Sequence, residues 1–391
     1  MILDDDIKSF VKEHEEDDIR VLALQAKRYP NIDMPLAIQQ IAGKKASKNK
    51  IPSWYLNEDI IYPKHLSMEQ CSSEPTALYK ASLMKGKTMV DLTGGLGIDF
   101  AFLSKHFERA TYIEQQEELV DIAQHNFEVL GLNNTTTINA DAVTYLEQMQ
   151  PVDLIYIDPA RRNSSGKKTV LIEDCTPNII ELESLLEQKA NTVIVKLSPM
   201  LDISLATKSL HNISDIHIIS HHNECKELLF IKNKEAKDTL LHCANITNLK
   251  TDLFSFYKKD EEQITINYTT QLEQYLYEPN TSIIKAGAYK SIATRYPVQK
   301  LHPSSHLYTS NEIINDFPGR RFTIMSISGL NKNELKAQLT GIDQANITVR
   351  NFPISVEEIR KRTKLKDGGD IYIFATTLAN DKKYLVICKK I

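Results

Sequence analysis

Asp91-Leu92-Thr93-Gly94-Gly95-Leu96-Gly97 is the stretch on which the reading of this chain turns. The chain has only 13 glycines in 391 residues, and three of them fall in these seven positions. Average usage of about 7% would supply roughly twice as many. Such a cluster answers a backbone demand, either a tight turn or a ligand approaching too closely for a Cβ. The apolar run Thr88–Thr93 reads as a strand, and Ile98–Phe107 after the glycines as a helix. A glycine turn in that place faces a ligand at the carboxyl end of a parallel strand. Two ligand classes fail on spacing. The dinucleotide pattern needs glycines at offsets of about 0, 2 and 5; counted from Gly95, its last glycine is Phe100. Gly86-Lys87-Thr88 looks like the tail of a phosphate loop. Yet Ala81 stands where that loop needs its first glycine, and Gly86 precedes the strand instead of following it.

Outward from the loop, Ala110–Glu114, Thr135–Asn139, Val152–Asp158 and Thr192–Leu197 read as further strands. Gln115–Leu130 and Ile179–Lys189 read as helices between them, the alternation of a parallel sheet. Asp215–Ser220 and Glu227–Lys232 are too close for a helical crossover and read as an antiparallel pair. The expected fold is α/β. A sheet of seven strands closed by an antiparallel hairpin resembles the class I (Rossmann-like) methyltransferase sheet. Residues 1–85 form a helical N-terminal region with a basic linker at Lys44–Lys50, and 86–235 the catalytic domain. Residues 236–320 connect, with a helix over Ser282–Tyr296, and 321–391 form a small α+β domain.

The remaining ligand for the loop is S-adenosylmethionine (SAM), which has an ammonium, a carboxylate, a sulfonium and a ribose but no phosphates. Asp91 suits its cationic methionine end, with Gly94, Gly95 and Gly97 giving the backbone room. Thr93 stands where another glycine is usual and places a hydroxyl near the methionine end. Glu114 ends the second strand, where a carboxylate accepts both ribose hydroxyls. Asp141, followed by Ala142, comes after the third strand, where a carboxylate meets the adenine amino group. Each acid taken alone also fits a cap or a solvated turn.

Asp158-Pro159-Ala160-Arg161-Arg162 ends the fourth strand. Methyltransferases acting on amino nitrogens carry Asn/Asp-Pro-Pro-aromatic there. Asp158 and Pro159 keep the half that holds the amine; Arg161 replaces the aromatic and is expected to stack on a base or pair with a phosphate. No cysteine follows closely, so nitrogen or oxygen acceptors are favoured over pyrimidine carbon. Lys196 with Asp158 resembles the Lys-Asp pairs of ribose methyltransferases; the alternative is a strand-end lysine in solvent.

The chain resembles the bacterial class I SAM-dependent methyltransferases with a C-terminal THUMP-like domain. The resemblance rests on Glu69-Gln70-Cys71-Ser72-Ser73-Glu74 with Thr76 and Tyr79-Lys80, on Asp91 to Gly97, and on Tyr156 to Arg162. It rests also on Glu278-Pro279 with Ile284-Lys285-Ala286-Gly287, and on Phe352-Pro353 with Glu358-Ile359-Arg360-Lys361-Arg362 and Gly368-Gly369. It implies a ferredoxin-like segment around residues 280–320, and Gln70, Ser72 and Thr76 on an entry segment over SAM. By analogy with THUMP proteins it implies RNA, tRNA or rRNA, as partner. Arg360, Lys361, Arg362, Lys364 and Lys366 are the candidate RNA-binding residues; a solubilising helix face is the alternative.

Net charge is −4, from 47 basic and 51 acidic residues, so no global basic field advertises a nucleic acid. The acidic start Asp4-Asp5-Asp6 does not fit a secretory signal, no apolar run spans a bilayer, and five scattered cysteines fit a reducing cytoplasm. No metal is expected: His221-His222 with Cys225 lacks a fourth ligand. The expectation is a cytoplasmic SAM-dependent methyltransferase acting on a base nitrogen of structured RNA by direct transfer. The alternatives are a non-catalytic RNA-binding protein on the same fold, and a methyltransferase for protein or a small molecule.

Overall fold

The computed structural model describes residues 3–64, 68–69, 71–161 and 172–391, and of Arg161 only the backbone. The chain divides into two compact units, Met1–Ile216 with Lys226–Asp238 and His217–Cys225 with Thr239–Ile391.

The first unit opens with helices α1 (Asp5–Glu13), α2 (Ile19–Leu24) and α3 (Met34–Lys50). Asp4, Asp18 and Asp33 cap their N-termini, each carboxylate accepting from a first-turn N–H. Their apolar faces close on Ile7, Phe10, Val11, Leu22, Met34, Ala37 and Ile41. The linker expected at Lys44–Lys50 is the last part of α3 instead. Lys44 and Lys48 find Glu15 and Glu16 of the preceding acidic stretch at 3.1 and 2.8 Å, so the basic residues serve as a paired helix face. Helix α4 (Glu74–Ala81) leads into the sheet.

The sheet strands are β1 (Gly86–Asp91), β2 (Phe107–Glu114), β3 (Thr135–Asn139), β4 (Val152–Ile157), β5 (Ala190–Leu197), β6 (Ile213–His221), β7 (Glu224–Asn233), β8 (Leu240–Ile246) and β9 (Thr251–Tyr257). Their order is β9-β8-β6-β7-β5-β4-β1-β2-β3. The pairs from β5 through β3 are parallel, and β7 returns antiparallel to β5. Nine strands stand where seven are expected. The two extra ones are the hairpin β8–β9, in which His242 and Ser255 bond each other at 2.8 Å. The central strands β4 and β5 bury near-continuous apolar runs, including Leu154, Ile155, Ile157, Val193, Ile194 and Val195.

Register fixes what meets at the carboxyl edge. Asp91 lies beside Tyr112 of β2 and Tyr156 of β4, and Glu114 beside Asn139 of β3. Lys196 lies beside Leu229 and Leu197 beside Leu228, which brings Glu227 to the end of β5.

In the second unit, seven strands form one sheet: β10 (Tyr275–Pro279), β11 (Gln299–Lys300), β12 (Tyr308–Ser310), β13 (Gly319–Ser328), β14 (Asn346–Arg350), β15 (Ile371–Thr377) and β16 (Lys383–Lys390). The order is β11-β12-β10-β13-β16-β15-β14, with only β14–β15 parallel. Gly319 starts β13 against β10 so tightly that a Cβ would lie 2.2 Å from the Glu278 carbonyl oxygen. The single helix expected over Ser282–Tyr296 is two, α5 (Thr281–Ala286) and α6 (Ser291–Arg295). Gly287 closes α5 in the left-handed region at φ 78°, which redirects the chain. Helices α7 (Lys332–Gln338) and α8 (Val356–Thr363) complete the unit.

Candidate functional site

The loop after β1 is shaped by the protein's own rings. A Cβ on Gly94 would lie 2.1 Å from the Tyr112 ring, and one on Gly97, at φ 80°, 2.7 Å from the Phe127 ring. Gly95 has open space but φ 56°, so its need is conformational. The Gly94 N–H donates to the Ile113 carbonyl and the Gly97 N–H to the Gly94 carbonyl, both at 2.8 Å. The Tyr112 hydroxyl donates to the Gly95 carbonyl.

The expected acids gather around this loop in different states. Asp91 is 1% exposed; its Oδ1 accepts the Thr93 N–H at 2.9 Å. Burial pushes its carboxyl up to about 8. A cation brought beside it would favour the ionised form and draw that value back down. Glu114 is buried, with Oε2 accepting the Gly95 N–H and Oε1 the Gln116 N–H, each at 2.9 Å. Both oxygens are oriented by backbone and keep lone pairs for hydroxyl donors. Asp141 is exposed and caps the helix Ala142–Gln148, accepting from Val143 and Thr144 N–H at 3.1 and 2.9 Å. The Thr144 N–H, first among these, holds its carboxyl below the usual range. The Thr93 hydroxyl accepts the Asp158 N–H at 2.6 Å and ties the loop to the end of β4.

Beneath Asp158 lies a row of buried charges. Lys196 pairs with Asp158 at 2.5 Å and with Asp99 at 3.2 Å. Lys80 pairs with Asp99 and with Glu227, both at 2.8 Å. Ser72 Oγ donates to Asp99 at 2.8 Å and accepts from Lys80 and Lys196 at 2.8 and 3.1 Å. The Tyr156 hydroxyl donates to Asp99 at 2.7 Å. Burial opposes the charge on Asp99, yet Lys196 and Lys80 hold its carboxyl well below the usual range. Burial likewise opposes the charge on Lys196, and Asp158, Asp99 and Glu227 overcome it and keep it an ammonium. The strand-end lysine is therefore not a solvated one. Ser72 sits among these charges, and Thr76 is buried in α4 with its hydroxyl on the Ser73 carbonyl at 3.0 Å. Pro159 is buried and Ala160 exposed. Gln70 and Arg162 lie outside the described residues.

Residues 275–318 match the ferredoxin-like domain family, 319–390 the THUMP domain-like family, and 76–212 the family described as conserved hypothetical protein 95. A crystal structure from Porphyromonas gingivalis W83, described as a candidate methyltransferase, is 34% identical, covers 100% of both chains and superposes with a TM-score of 0.89. The chain belongs to the class I SAM-dependent methyltransferases with a THUMP-like domain. Two uncharacterized SAM-dependent methyltransferases of Mycobacterium tuberculosis strains are each 21% identical over 314 residues, 80% of this chain and 83% of theirs. The methyltransferase is thus an enzyme whose cofactor is SAM.

In the THUMP-like segment of this methyltransferase the expected basic residues divide. Arg360 is occupied by Asp367 and by the Leu365 and Ala345 carbonyls, the latter two at 3.2 Å. Arg362 pairs with Glu358 at 2.5 Å, one turn earlier. Lys361, Lys364 and Lys366 are exposed, and Gly368-Gly369 follow at φ 103° and 77°. Arg320 and Arg350 are held by the buried Glu278, the latter at 2.9 Å. Among the described residues no group of His, Cys, Asp and Glu fits a metal, and no helix is long and apolar enough to cross a membrane.

Sequence reasoning passed over Asp99, Glu227, Lys80 and Tyr156 as site residues. Asp99 stands two residues after Gly97, in the first turn of the helix Ile98–Leu103 that Gly97 precedes, which is a usable signal. Lys80 and Tyr156 lie in the segments that carry the family resemblance, without a role assigned to them. Glu227 offered none.

Proposed function

We propose that this methyltransferase transfers a methyl group directly from SAM to a base nitrogen of structured RNA, tRNA or rRNA, in the cytoplasm. The observation that carries the cofactor end is the buried Asp91 carboxyl beside a preformed glycine loop. In this reading Asp91 and Thr93 meet the methionine end, Gly94, Gly95 and Gly97 the adenosyl backbone, Glu114 the ribose hydroxyls, and Asp141 with Ala142 the adenine. Gln70, Ser72 and Thr76 close the entry segment. SAM supplies an electrophilic methyl carbon on a sulfonium, so the chain has only to hold the acceptor in line and take up a proton. Asp158 and Pro159 hold that acceptor, and Arg161 contacts the base or a phosphate. The segment 86–235 carries the chemistry, and 321–391 grips the RNA through the exposed Lys361, Lys364 and Lys366, with Arg360 and Arg362 beside them already paired with Asp367 and Glu358. Exposed lysines beside a THUMP-like core in an otherwise acidic chain support the RNA partner.

The test is transfer from radiolabelled SAM into total RNA of a strain lacking the gene, with nuclease and protease arms. Nuclease-sensitive label is expected. Protease-sensitive label, or label in small molecules, overturns the RNA assignment, and binding of RNA without transfer leaves a non-catalytic binding protein.

A further inference from the structure

Asp158, Lys196, Asp99, Lys80 and Glu227 form one alternating row, with consecutive separations of 2.5, 3.2, 2.8 and 2.8 Å. Three carboxylates against two ammoniums leave one surplus negative charge. The inner four side chains are at most 10% exposed, whereas that of Asp158 is 36% exposed. The surplus therefore opens to solvent and ligand at Asp158. Lys196 has committed its donors, to Ser72 Oγ at 3.1 Å, Asp99 Oδ2 at 3.2 Å and Asp158 Oδ2. An ammonium has three, so none is left for a substrate. Lys196 acts through Asp158, which is also fixed from behind by the Thr93 hydroxyl.

We propose that Lys196 is a positioning residue that keeps Asp158 ionised and aimed as the proton acceptor of methyl transfer, and that the acceptor atom therefore still bears hydrogen, as an exocyclic amino group of a base does. The inference rests on the methyltransferase reading above and narrows its acceptor. An ionised carboxylate offers lone pairs and no donor. It attracts an N–H or O–H and repels the bare lone pair of a ring nitrogen. Charge and atoms balance in one step. The acceptor's lone pair forms the new bond to the methyl carbon, the sulfur–carbon pair stays on sulfur, and the acceptor's proton passes to Asp158. The positive charge leaves sulfur and arrives as that proton, so the row meets a cation before transfer and is neutralised after it.

Burial raises the Asp158 carboxyl against the pull of Lys196, and Asp99, Lys80, Asp91 and Tyr156 are the other titratable groups around it. Removing the ammonium in Lys196→Met raises the carboxyl further. The low-pH limb of kcat then moves to higher pH, with kcat down about a hundredfold or more and KM for RNA little changed. Lys196→Arg restores the limb. A side chain that only filled space would lower kcat without moving the limb, and an unmoved limb overturns the role of Lys196. A second reading needs no turnover: by calorimetry, Asp158→Asn lowers the preference for SAM over S-adenosylhomocysteine about five- to tenfold, since only SAM carries the sulfonium charge. An unchanged preference overturns the surplus charge at Asp158, and this arm decides if Lys196→Met fails to fold. Nucleoside mass spectrometry completes the test. Methyl on an exocyclic amine supports both readings; methyl on a ribose oxygen supports this inference and overturns the base nitrogen. Methyl on a ring nitrogen without hydrogen, or on carbon, overturns the inference and leaves the cofactor reading standing.

Discussion

The charged row under Asp158 and the basic stretch of α8 use the same residue types in opposite ways. In the row, each charge but that of Asp158 is buried and faces carboxylates or ammoniums from other parts of the chain, the longest link joining Lys80 to Glu227 across 147 positions. In α8, Arg362 pairs with Glu358 on its own helix and both are exposed. Water screens the second kind, whereas the first depends on its partners for solvation. A buried charge therefore constrains geometry, and an exposed one is left available to an external partner.

The comparison breaks most severely at its buried end. Lys80→Met leaves Asp99 and Glu227 without their shared cation and is expected to destabilise the first unit by about 3–5 kcal/mol, measured by urea denaturation. A loss near that of a surface substitution would erase the contrast. Gly94→Ala comes next, driving a Cβ into the Tyr112 ring. A cost of about 1–3 kcal/mol with lost SAM affinity is expected by melting and calorimetry; unchanged affinity would show that the ring yields. Asp91 sharpens the contrast through pH. Its folded carboxyl sits at about 8, above its ordinary value, so the folded state holds the proton that the unfolded chain releases. Stability without cofactor should fall as pH rises from about 4 toward 8, and Asp91→Asn should flatten that slope in pH-dependent melting curves. At the exposed end, Arg362→Ala should change stability by less than about 0.5 kcal/mol. Reversing Lys361, Lys364 and Lys366 to Glu should weaken RNA binding and reduce its salt slope by about one per lysine. An unchanged slope would remove that surface from the RNA assignment.

These regions also differ in how far sequence exposed them. The loop was legible because its glycines answer to backbone demands that no other residue meets, and Asp91 and Glu114 because strand ends place them. Asp141 was visible too, although its carboxyl also serves as a helix cap. The row was hidden because nothing local marks Lys80 or Glu227, and only the register of β5 with β7 brings Glu227 to the end of β5. The hairpin β8–β9 carries a weak strand signal because Cys243 to Ile246 are buried in succession, Asn245 among them, so no alternation marks β8. Over Ser282–Tyr296 the apolar spacing runs on past Gly287, where the helical backbone does not, so the pattern shows one helix and the chain makes two.

Gly319 opens the THUMP-like segment while packed against the last residues of β10 in the ferredoxin-like one, and β10 lies between β12 and β13 in one ladder. The two family matches meet at 318 and 319, in the middle of one sheet. Split there, each piece would present a raw strand edge, β10 on one side and β13 on the other, so neither segment closes its sheet without the other.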